Sequence, residues 1–287
     1  LRADDPRRRE QAGRTMNRAR VARHAGQGAL LVALFVFLFP IAWLFSTAYK
    51  RAADIFAIPP VLTFTPTLRN FETLFEFFNV PQLTLNTIII SFGTAIVALT
   101  LGTPAAYALA RLDRWWAHGI AYFFLAIRMI PPVAILIPFY LMMRDVGLLG
   151  TYWALIILDA MQSTSFVVWM MFGYFRGVPK EIEEAAVVDG CTQWGAFIRI
   201  VLPTVVPGLI ASALFCILFA WNNFIFPSFL TNSQTRPLSV ALVSAYGSNE
   251  INWGTMGALA HFSVLPIVAL ALLLNRYFVQ GLTRGVH

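Results

Sequence analysis

Long apolar stretches separated by short charged segments dominate the sequence. Residues 25–49 carry no charged side chain, and none lies between Glu76 and Arg111. A membrane-spanning helix needs about 20 mostly apolar residues. The pattern therefore predicts six spans, at 29–48, 84–108, 118–142, 151–173, 205–229 and 255–275.

The composition agrees with a membrane protein. Of the 287 residues, 58% are hydrophobic and 12% are charged, and the mean hydropathy is +0.68, whereas soluble domains carry about 25% charged residues. We therefore predict an all-α integral membrane protein with six transmembrane helices. The first apolar run is long enough to span, so we expect a retained helix rather than a cleaved secretory signal. Met16 is an alternative start of translation.

The distribution of basic residues predicts the orientation. Eight of the 21 Lys and Arg precede residue 24, and cytoplasmic segments are enriched in such residues. With the N-terminus inside, the cytoplasmic segments hold 15 basic residues and the outside segments hold five. We predict a basic cytoplasmic tail at 1–27, a six-helix domain at 28–277 and a cytoplasmic tail at 278–287. Aromatic residues are not interleaved with the N-terminal arginines, so we do not predict nucleic acid as a partner. We predict that the basic tail contacts membrane lipid instead.

A polar segment at about 174–204 interrupts the apolar pattern between the fourth and fifth spans. Good helix formers follow Pro179, namely Glu181, Glu183, Glu184, Ala185 and Ala186. Gly190 permits the chain to reverse, and 194–200 can form a second short helix that stops near Pro203. The two small alanines would let another surface approach closely. An ordinary amphipathic surface helix is the alternative interpretation.

The sequence E-A-A-x-x-D-G at 184–190, followed by L-P at 202–203 and Pro207, resembles the coupling loop of bacterial ABC importer permeases. In that family the helix–Gly–helix element docks in a groove of the nucleotide-binding subunit. The resemblance implies an ATPase-coupling role for Glu183, Glu184, Ala185, Ala186, Asp189, Gly190, Phe197, Leu202 and Pro203.

From about residue 30 to its end the chain resembles the maltose-type branch of these permeases, which imports carbohydrates. It is similar to the six-helix member that lacks a large periplasmic domain. The motifs that carry the resemblance are Asn86-Thr87, A-Y-A-L-A-R at 106–111, Met129-Ile130-Pro131-Pro132, Ile137-Pro138, Trp221-Asn222 with Pro227, and F-V-Q-G-L-T-R-G at 278–285.

The resemblance implies a set of partners in the bacterial inner membrane. These are a homologous permease, as a heterodimer, two ATPase subunits that bind ATP and Mg, and an extracytoplasmic solute-binding protein. The implied solute is a sugar, an oligosaccharide, a polyol or a glycerol derivative. This chain itself is predicted to bind no cofactor or metal and to catalyse no reaction. Neither Lys50 nor Lys180 lies in a Gly-rich phosphate loop, and Cys191 and Cys216 have no metal-ligand spacing.

Polar residues within the spans are candidates for the solute path, because charges at membrane depth are costly and face a partner or a wet cavity. Arg128 and Asp159 interrupt the third and fourth spans. They line a path, or they pair structurally within the bundle. Prolines would kink the third helix. The candidates for the path are Arg128, Met129, Pro132, Asp159, Trp221, Asn222 and Asn223; for the last three, interhelical hydrogen bonding is the alternative.

Two other classes of membrane protein are weighed against an ABC permease. A secondary transporter of a small polar solute would favour inverted repeats and intramembrane acid clusters, and only Asp159 is acidic within a predicted span. A membrane enzyme would need a nucleophile, an acid–base pair or a metal constellation, and the sequence contains no such pattern.

Overall fold

The computed structural model describes residues 6–112, 114–244 and 252–284, with side chains at 26–112, 114–243 and 252–274, and contains helices but no strand within these ranges. The helices are α1 Pro6–Thr47, α2 Ala52–Ile55, α3 Arg69–Phe77, α4 Val80–Arg111, α5 Trp115–Ile127, α6 Pro132–Asp145, α7 Tyr152–Arg176, α8 Lys180–Val188, α9 Gln193–Ala196, α10 Leu202–Thr204, α11 Val206–Trp221, α12 Ile225–Leu230, α13 Leu238–Ser244 and α14 Trp253–Arg284. A single π-helical stretch, Phe197–Val201, joins α9 to α10.

Four of these helices contain segments long and apolar enough to cross a membrane, namely Gly26–Thr47 of α1, all of α4, all of α7, and Trp253–Leu274 of α14. Two further candidates are bent pairs, α5 with α6 and Gln193–Thr204 with α11. Counting each bent pair as one span gives six, which is the number that the sequence predicts.

The third span, predicted at 118–142 with a kink at its prolines, is bent as expected, and the bend is a full break between two helices. The chain leaves the helix after Ile127 and resumes at Pro132, and the axes of α5 and α6 differ by 82°. Proline lacks a backbone N–H and disfavours a helical conformation at the preceding residue, so Pro131-Pro132 stops the first helix. Pro132 then begins α6, where its missing donor costs nothing. Pro138 lies inside α6, which continues through it.

The fifth span also ends earlier than the predicted 205–229. Helix α11 stops at Trp221 and α12 begins at Ile225, so the polar residues Asn222 and Asn223 lie in the break. The break frees backbone groups that must find other partners inside a membrane protein. Ser239 Oγ satisfies one of them by donating to the carbonyl of Asn223 at 2.7 Å.

The centre of the molecule is the pair α4 and α7, which pack side by side, and α11 contacts both. Small residues allow the close approach. A Cβ placed on Gly102 would lie 2.8 Å from Val167 Cγ1, and Ala98 and Ala106 of the same helix are fully buried. Close packing of this kind holds membrane helices together, because moving an apolar side chain from lipid into a helix interface supplies little hydrophobic driving force.

Asn86 connects the start of α4 to the loop before α13. It is fully buried, its Nδ2 donates to the carbonyls of Gln234 and Arg236, both at 2.8 Å, and its Oδ1 accepts from Gln82 Nε2 and Tyr152 Oη at 2.8 and 2.7 Å. A buried amide that satisfies this many groups fixes their relative positions. Asn86 therefore anchors the 231–237 loop to α4, and bonds of Asn232 and Thr235 to the carbonyl of Gly150 hold the same loop from the other side.

The long helix α1 packs mainly through its last turns. Its apolar residues at 30–39 are exposed in the isolated chain, while Thr47 and Ala48 are buried. The predicted boundary between tail and span at 27/28 lies inside this helix. Of the predicted C-terminal tail, 278–284 continues α14, and 285–287 lies outside the described residues.

Candidate functional site

The polar segment between α7 and α11 forms two short helices around a glycine turn, as predicted, and we call residues 180–204 the glycine-turn segment. Helix α8 begins after Pro179, with Glu181 and Glu183 in its first turn, where acidic side chains favour the helix dipole. Gly190 follows with a φ of +91°, a conformation that costs a residue with a Cβ about 1–2 kcal/mol. Thr192 begins the second helix, since its Oγ1 accepts from the N–H of Gly195 at 3.0 Å.

Three side chains join this segment to the end of α4. Tyr107 Oη donates to Glu183 Oε2 at 2.7 Å, and Arg111 Nε donates to Glu183 Oε1 at 2.6 Å. Arg111 Nη2 contacts the same carboxylate oxygen. The charged side chains are 16% and 13% exposed, so water screens the ion pair only in part. We call these residues the Tyr107–Arg111–Glu183 cluster.

The cluster also reaches the end of α7. Arg111 Nη1 donates to the carbonyl of Phe175 at 3.0 Å, one of the carbonyls that a helix leaves without an intrahelical partner. The ring of Tyr107 packs on Phe197 with centroids 4.4 Å apart. The glycine-turn segment is thus attached at one place to both central helices, and a displacement of α8 bears directly on α4 and α7.

The predicted coupling residues divide into two sets. Glu184, Ala185, Asp189, Gly190 and Pro203 are exposed. Glu183 faces α4, Ala186 and Phe197 are each 4% exposed, and Leu202 is partly buried. The expectation that both alanines admit a neighbouring surface is therefore wrong for Ala186, because the helix turns that side inward.

The outer side of the segment presents apolar side chains that nothing in the described chain covers. Val188 is 86% exposed and Trp194 is 62% exposed. A groove of about 760 Å³ runs between them and the end of α4, with Glu184 and Lys180 on its rim. Exposed apolar residues rimmed by charged ones are typical of a protein interaction surface.

A second polar feature, the Asp159 cavity, lies inside the bundle where both broken spans interrupt their helices. It measures about 170 Å³ and is lined by Arg128, Pro132, Asp159, Gln162, Ser163, Phe219, Ala220, Asn223, Ile225 and Phe226. Asp159 is 5% exposed. Its Oδ1 accepts from Asn223 Nδ2 at 2.6 Å, and its Oδ2 has no hydrogen-bond partner among the described residues.

The sequence left two hypotheses for Arg128 and Asp159, which were that they line a path or that they pair structurally. The described chain does not show the structural pair. The guanidinium carbon of Arg128 lies 3.8 Å from the ring centroid of Phe219 and 5.3 Å from that of Phe166, and within the described chain no ion pair joins Arg128 to Asp159. Arg128 is the C-cap residue of α5, and its side chain lies against α11. The two charged residues share a cavity without contacting each other.

The other path candidates occupy different surroundings. Trp221 is buried, and its Nε1 donates to the carbonyl of Ser263 at 3.0 Å, an interhelical bond. Asn222 is exposed, and its Nδ2 donates to the carbonyl of Leu218 in its own helix at 2.8 Å. Met129 is 83% exposed and does not line the cavity. Arg128, Pro132, Asp159 and Asn223 remain together at one site.

The sequence does not reveal the two contacts that organise the site. Arg111 and Glu183 are 72 residues apart, and Asn86 and Arg236 are 150 apart. The only available signal is the polar character of Asn86, Tyr107 and Arg111 at the ends of an apolar run, which leaves the choice of partner open. No group of three or more His, Cys, Asp or Glu side chains in the described ranges could hold a metal ion.

Comparison with known families gives one match that covers most of the chain. The model of the binding-protein-dependent transport system inner membrane component matches residues 98–284. This range includes the C-terminal part of α4 and the whole of the glycine-turn segment.

Several curated proteins are similar over nearly their whole length. The probable ABC transporter permease protein y4oR of Sinorhizobium fredii is 34% identical over 254 residues, which are 88% of this chain and 91% of that protein. The diacetylchitobiose uptake system permease protein DasC of Streptomyces coelicolor is 33% identical over 262 residues, 88% of this chain and 93% of that protein. The trehalose/maltose transport system permease protein MalG of Thermococcus litoralis is 29% identical over 263 residues, which are 90% of this chain and 94% of that protein.

A solved structure shares the fold. A chain in the crystal structure of a bacterial ABC transporter that imports the acidic polysaccharide alginate superposes with a TM-score of 0.74. The match covers 90% of this chain and 97% of that chain at 22% identity.

Proposed function

This chain belongs to the family of binding-protein-dependent transport system inner membrane components, and we propose that it is a permease subunit of an ATP-driven ABC importer for a carbohydrate-class solute. With a second, homologous permease it forms the translocation path. ATP and Mg bind to two partner ATPase subunits, and a binding protein delivers the solute on the opposite side of the membrane. Both termini of the chain are cytoplasmic.

One observation supports the proposal most strongly. The α8–Gly190–α9 segment lies beyond the ends of the central helices and exposes Val188, Trp194 and Glu184. On its inner side, Glu183 binds Tyr107 and Arg111 of α4. A segment that transmits force needs both an outer surface for the partner and a firm attachment to the helices that must move.

The mechanism follows from this attachment. Binding of ATP closes the ATPase dimer and displaces the docked α8 with it. The Tyr107–Arg111–Glu183 cluster carries the displacement to α4 and α7, and the two permeases change from inward-open to outward-open. ATP shifts this equilibrium only if the ATPase makes different contacts with the two states of the permease. The glycine-turn segment is the part of this chain that is placed to make those contacts.

The solute class rests on the relatives and on the chemistry of the cavity. Two of the relatives are named for the uptake of diacetylchitobiose and of trehalose or maltose. The Asp159 cavity combines donors and acceptors near an aromatic side chain, a combination that suits hydroxylated ligands. Oligosaccharides, sugars, polyols and glycerol derivatives all belong to this class.

The test is reconstitution of the complete transporter. The chain is co-expressed with its partner ATPase, second permease and binding protein, and the complex is purified into proteoliposomes. ATP-dependent uptake is measured for maltose, trehalose, N,N′-diacetylchitobiose and glycerol 3-phosphate. Uptake driven by an ion gradient without ATP would instead identify a secondary transporter and contradict the proposal.

Glu184→Lys tests the docking surface in the same preparation. Glu184 is exposed on α8 and lines the groove, so reversing its charge should reduce the amount of ATPase that co-purifies, by about 5- to 50-fold in affinity (~1–2.3 kcal/mol). Glu72→Lys, on an exposed residue of α3, is the matched control. Unchanged recovery of the ATPase with Glu184→Lys would remove the proposed docking surface.

A further inference from the structure

We propose that the Asp159 cavity is a binding subsite for a neutral, polyhydroxylated solute, with Asp159 as the acceptor and Arg128 as the donor. This inference rests on the proposed function and adds the location and chemical class of the ligand. None of the relatives' names assigns a residue, and the family match by itself places no ligand here.

The strongest sign of a ligand is the carboxyl group of Asp159. The residue is 5% exposed, and only one of its two oxygens is engaged, by Asn223 Nδ2 at 2.6 Å. The other oxygen, Oδ2, is buried without a hydrogen-bond partner among the described residues, and Asp159 is one of the residues that line the cavity. A buried acceptor left unsatisfied costs about 1–3 kcal/mol, and a ligand hydroxyl that donates to it removes that cost.

The donor side of the cavity is Arg128. Its guanidinium lies over the face of Phe219, 3.8 Å from the ring centroid, an attraction that leaves the N–H donors free for hydrogen bonds at their edges. Gln162 and Ser163 of α7 add further polar groups to the lining. The cavity therefore combines the acceptor and polar groups of α7 with a donor at the end of α5.

These groups discriminate between classes of solute. A sugar acid would bring its carboxylate close to Asp159, and a cationic solute would meet Arg128. A hydroxyl group donates and accepts at once, so neighbouring hydroxyls of a neutral sugar satisfy both residues. Phe219 supplies an apolar edge for the ring carbons. The same reasoning explains why Arg128 and Asp159 share the cavity without an ion pair, since a closed pair would remove the groups that bind.

The experiment uses protection of a cysteine in the reconstituted transporter. Gln162→Cys places a thiol in the cavity lining, in a background in which the exposed-loop thiol is removed by Cys191→Ser. Alkylation by N-ethylmaleimide is followed at increasing concentrations of maltose, trehalose, N,N′-diacetylchitobiose and galacturonate. Met129→Cys is the matched control, because Met129 is exposed and lies outside the cavity.

We expect at least one of the three neutral sugars to slow alkylation of Gln162→Cys and to leave Met129→Cys unaffected. Adding Asp159→Leu or Arg128→Leu should weaken that protection by about 10- to 100-fold, as expected for a lost hydrogen bond to a charged group. Asp159→Asn keeps an acceptor oxygen and should weaken it less than Asp159→Leu. Co-purification of the ATPase should be unchanged in all three variants, because the cavity lies away from α8.

The outcomes separate this inference from the proposed function. If the complex accumulates a neutral sugar with ATP while none of the sugars protects Gln162→Cys, the subsite is wrong and the importer stands. Protection by galacturonate alone would overturn the neutral-solute class. Protection that persists in Asp159→Leu and Arg128→Leu would remove these two residues from the subsite. A complex that accumulates nothing with ATP contradicts the proposed function itself.

Discussion

At the scale of single residues, buried polar side chains determine how the helices of this permease connect. Asn86 satisfies two backbone carbonyls and two side-chain donors at the start of α4. Glu183 holds Tyr107 and Arg111 at its end. Where water is excluded such bonds have no ready substitute, so the loss of one partner leaves the other unsatisfied.

Asn86→Ala should destabilise the protein strongly. The substitution removes an acceptor for Gln82 and Tyr152 and a donor for two carbonyls, and we expect a loss of about 2–4 kcal/mol in the free energy of unfolding. This loss is measured as a lower midpoint temperature in the thermal unfolding of the purified permease in detergent. Asn222→Ala is the control, because Asn222 is exposed and bonds only within its own helix. Equal midpoints for the two variants would contradict the assigned role of Asn86.

Glu183→Gln should uncouple ATP hydrolysis from transport. The glutamine can still accept from Tyr107, but it no longer carries the charge that holds Arg111. We expect ATPase activity to persist while uptake falls, and attachment to weaken by about 1–3 kcal/mol. Arg111→Gln should have the same effect, and the double variant should be little worse than either single one, because both remove one interaction. Additive losses would show that the two residues act independently.

At the scale of elements, the conformation of the Gly190 turn sets the direction of the two short helices. Its φ of +91° is open to glycine but not to proline, whose φ is fixed near −65°. A Cβ on Gly190 would meet no atom within 4 Å, so any effect of Gly190→Ala comes from the backbone rather than from a clash.

Gly190→Pro should abolish transport while the chain still inserts into the membrane, and Gly190→Ala should reduce transport with a cost of about 1–2 kcal/mol to the native turn. Gly173→Ala is the matched control. Gly173 lies within α7, where an added Cβ also meets nothing within 4 Å, and alanine favours a helix. Uptake, ATPase recovery and membrane yield distinguish the variants. Wild-type uptake by Gly190→Pro would show that the turn does not transmit the motion.

At the scale of the whole molecule, the proposed complex contains two permeases, and in it this chain supplies half of the path and one of the two attachment points for the ATPases. The residues of α1 at 30–39 are apolar and exposed in the isolated chain, so in the proposed complex they pack against lipid or the second permease. The same proposal places the two glycine-turn segments on one side of the membrane.

Their separation should change with nucleotide. Val188 is 86% exposed on α8 and takes no part in the Tyr107–Arg111–Glu183 cluster, so Val188→Cys on this chain and an equivalent cysteine on the partner permease can carry spin labels. We expect the interspin distance to decrease between the nucleotide-free and the ATP-trapped complex, as closure of the ATPase dimer draws the segments together. A distance that stays constant in a complex that transports would refute the coupling scheme.

The sequence by itself determined the helical spans and the turn. Lipid cannot hydrogen-bond to the backbone, so apolar runs of spanning length must become helices, and their number follows from counting. Proline at 131 and 132 and glycine at 190 act locally through their own backbone angles. These properties need no knowledge of neighbours, so the helix–glycine–helix order of the segment could be predicted, whereas the π-helical stretch Phe197–Val201 could not.

Only the tertiary structure decided which polar groups meet. Asp159 pairs with Asn223 rather than with Arg128, and the guanidinium of Arg128 lies over the ring of Phe219 instead. Glu183 points inward to α4 and Ala186 is buried, although both belong to the motif expected to face a partner. Such choices depend on the packing of helices distant in the sequence, where several donors compete for each acceptor and geometry alone selects the pair.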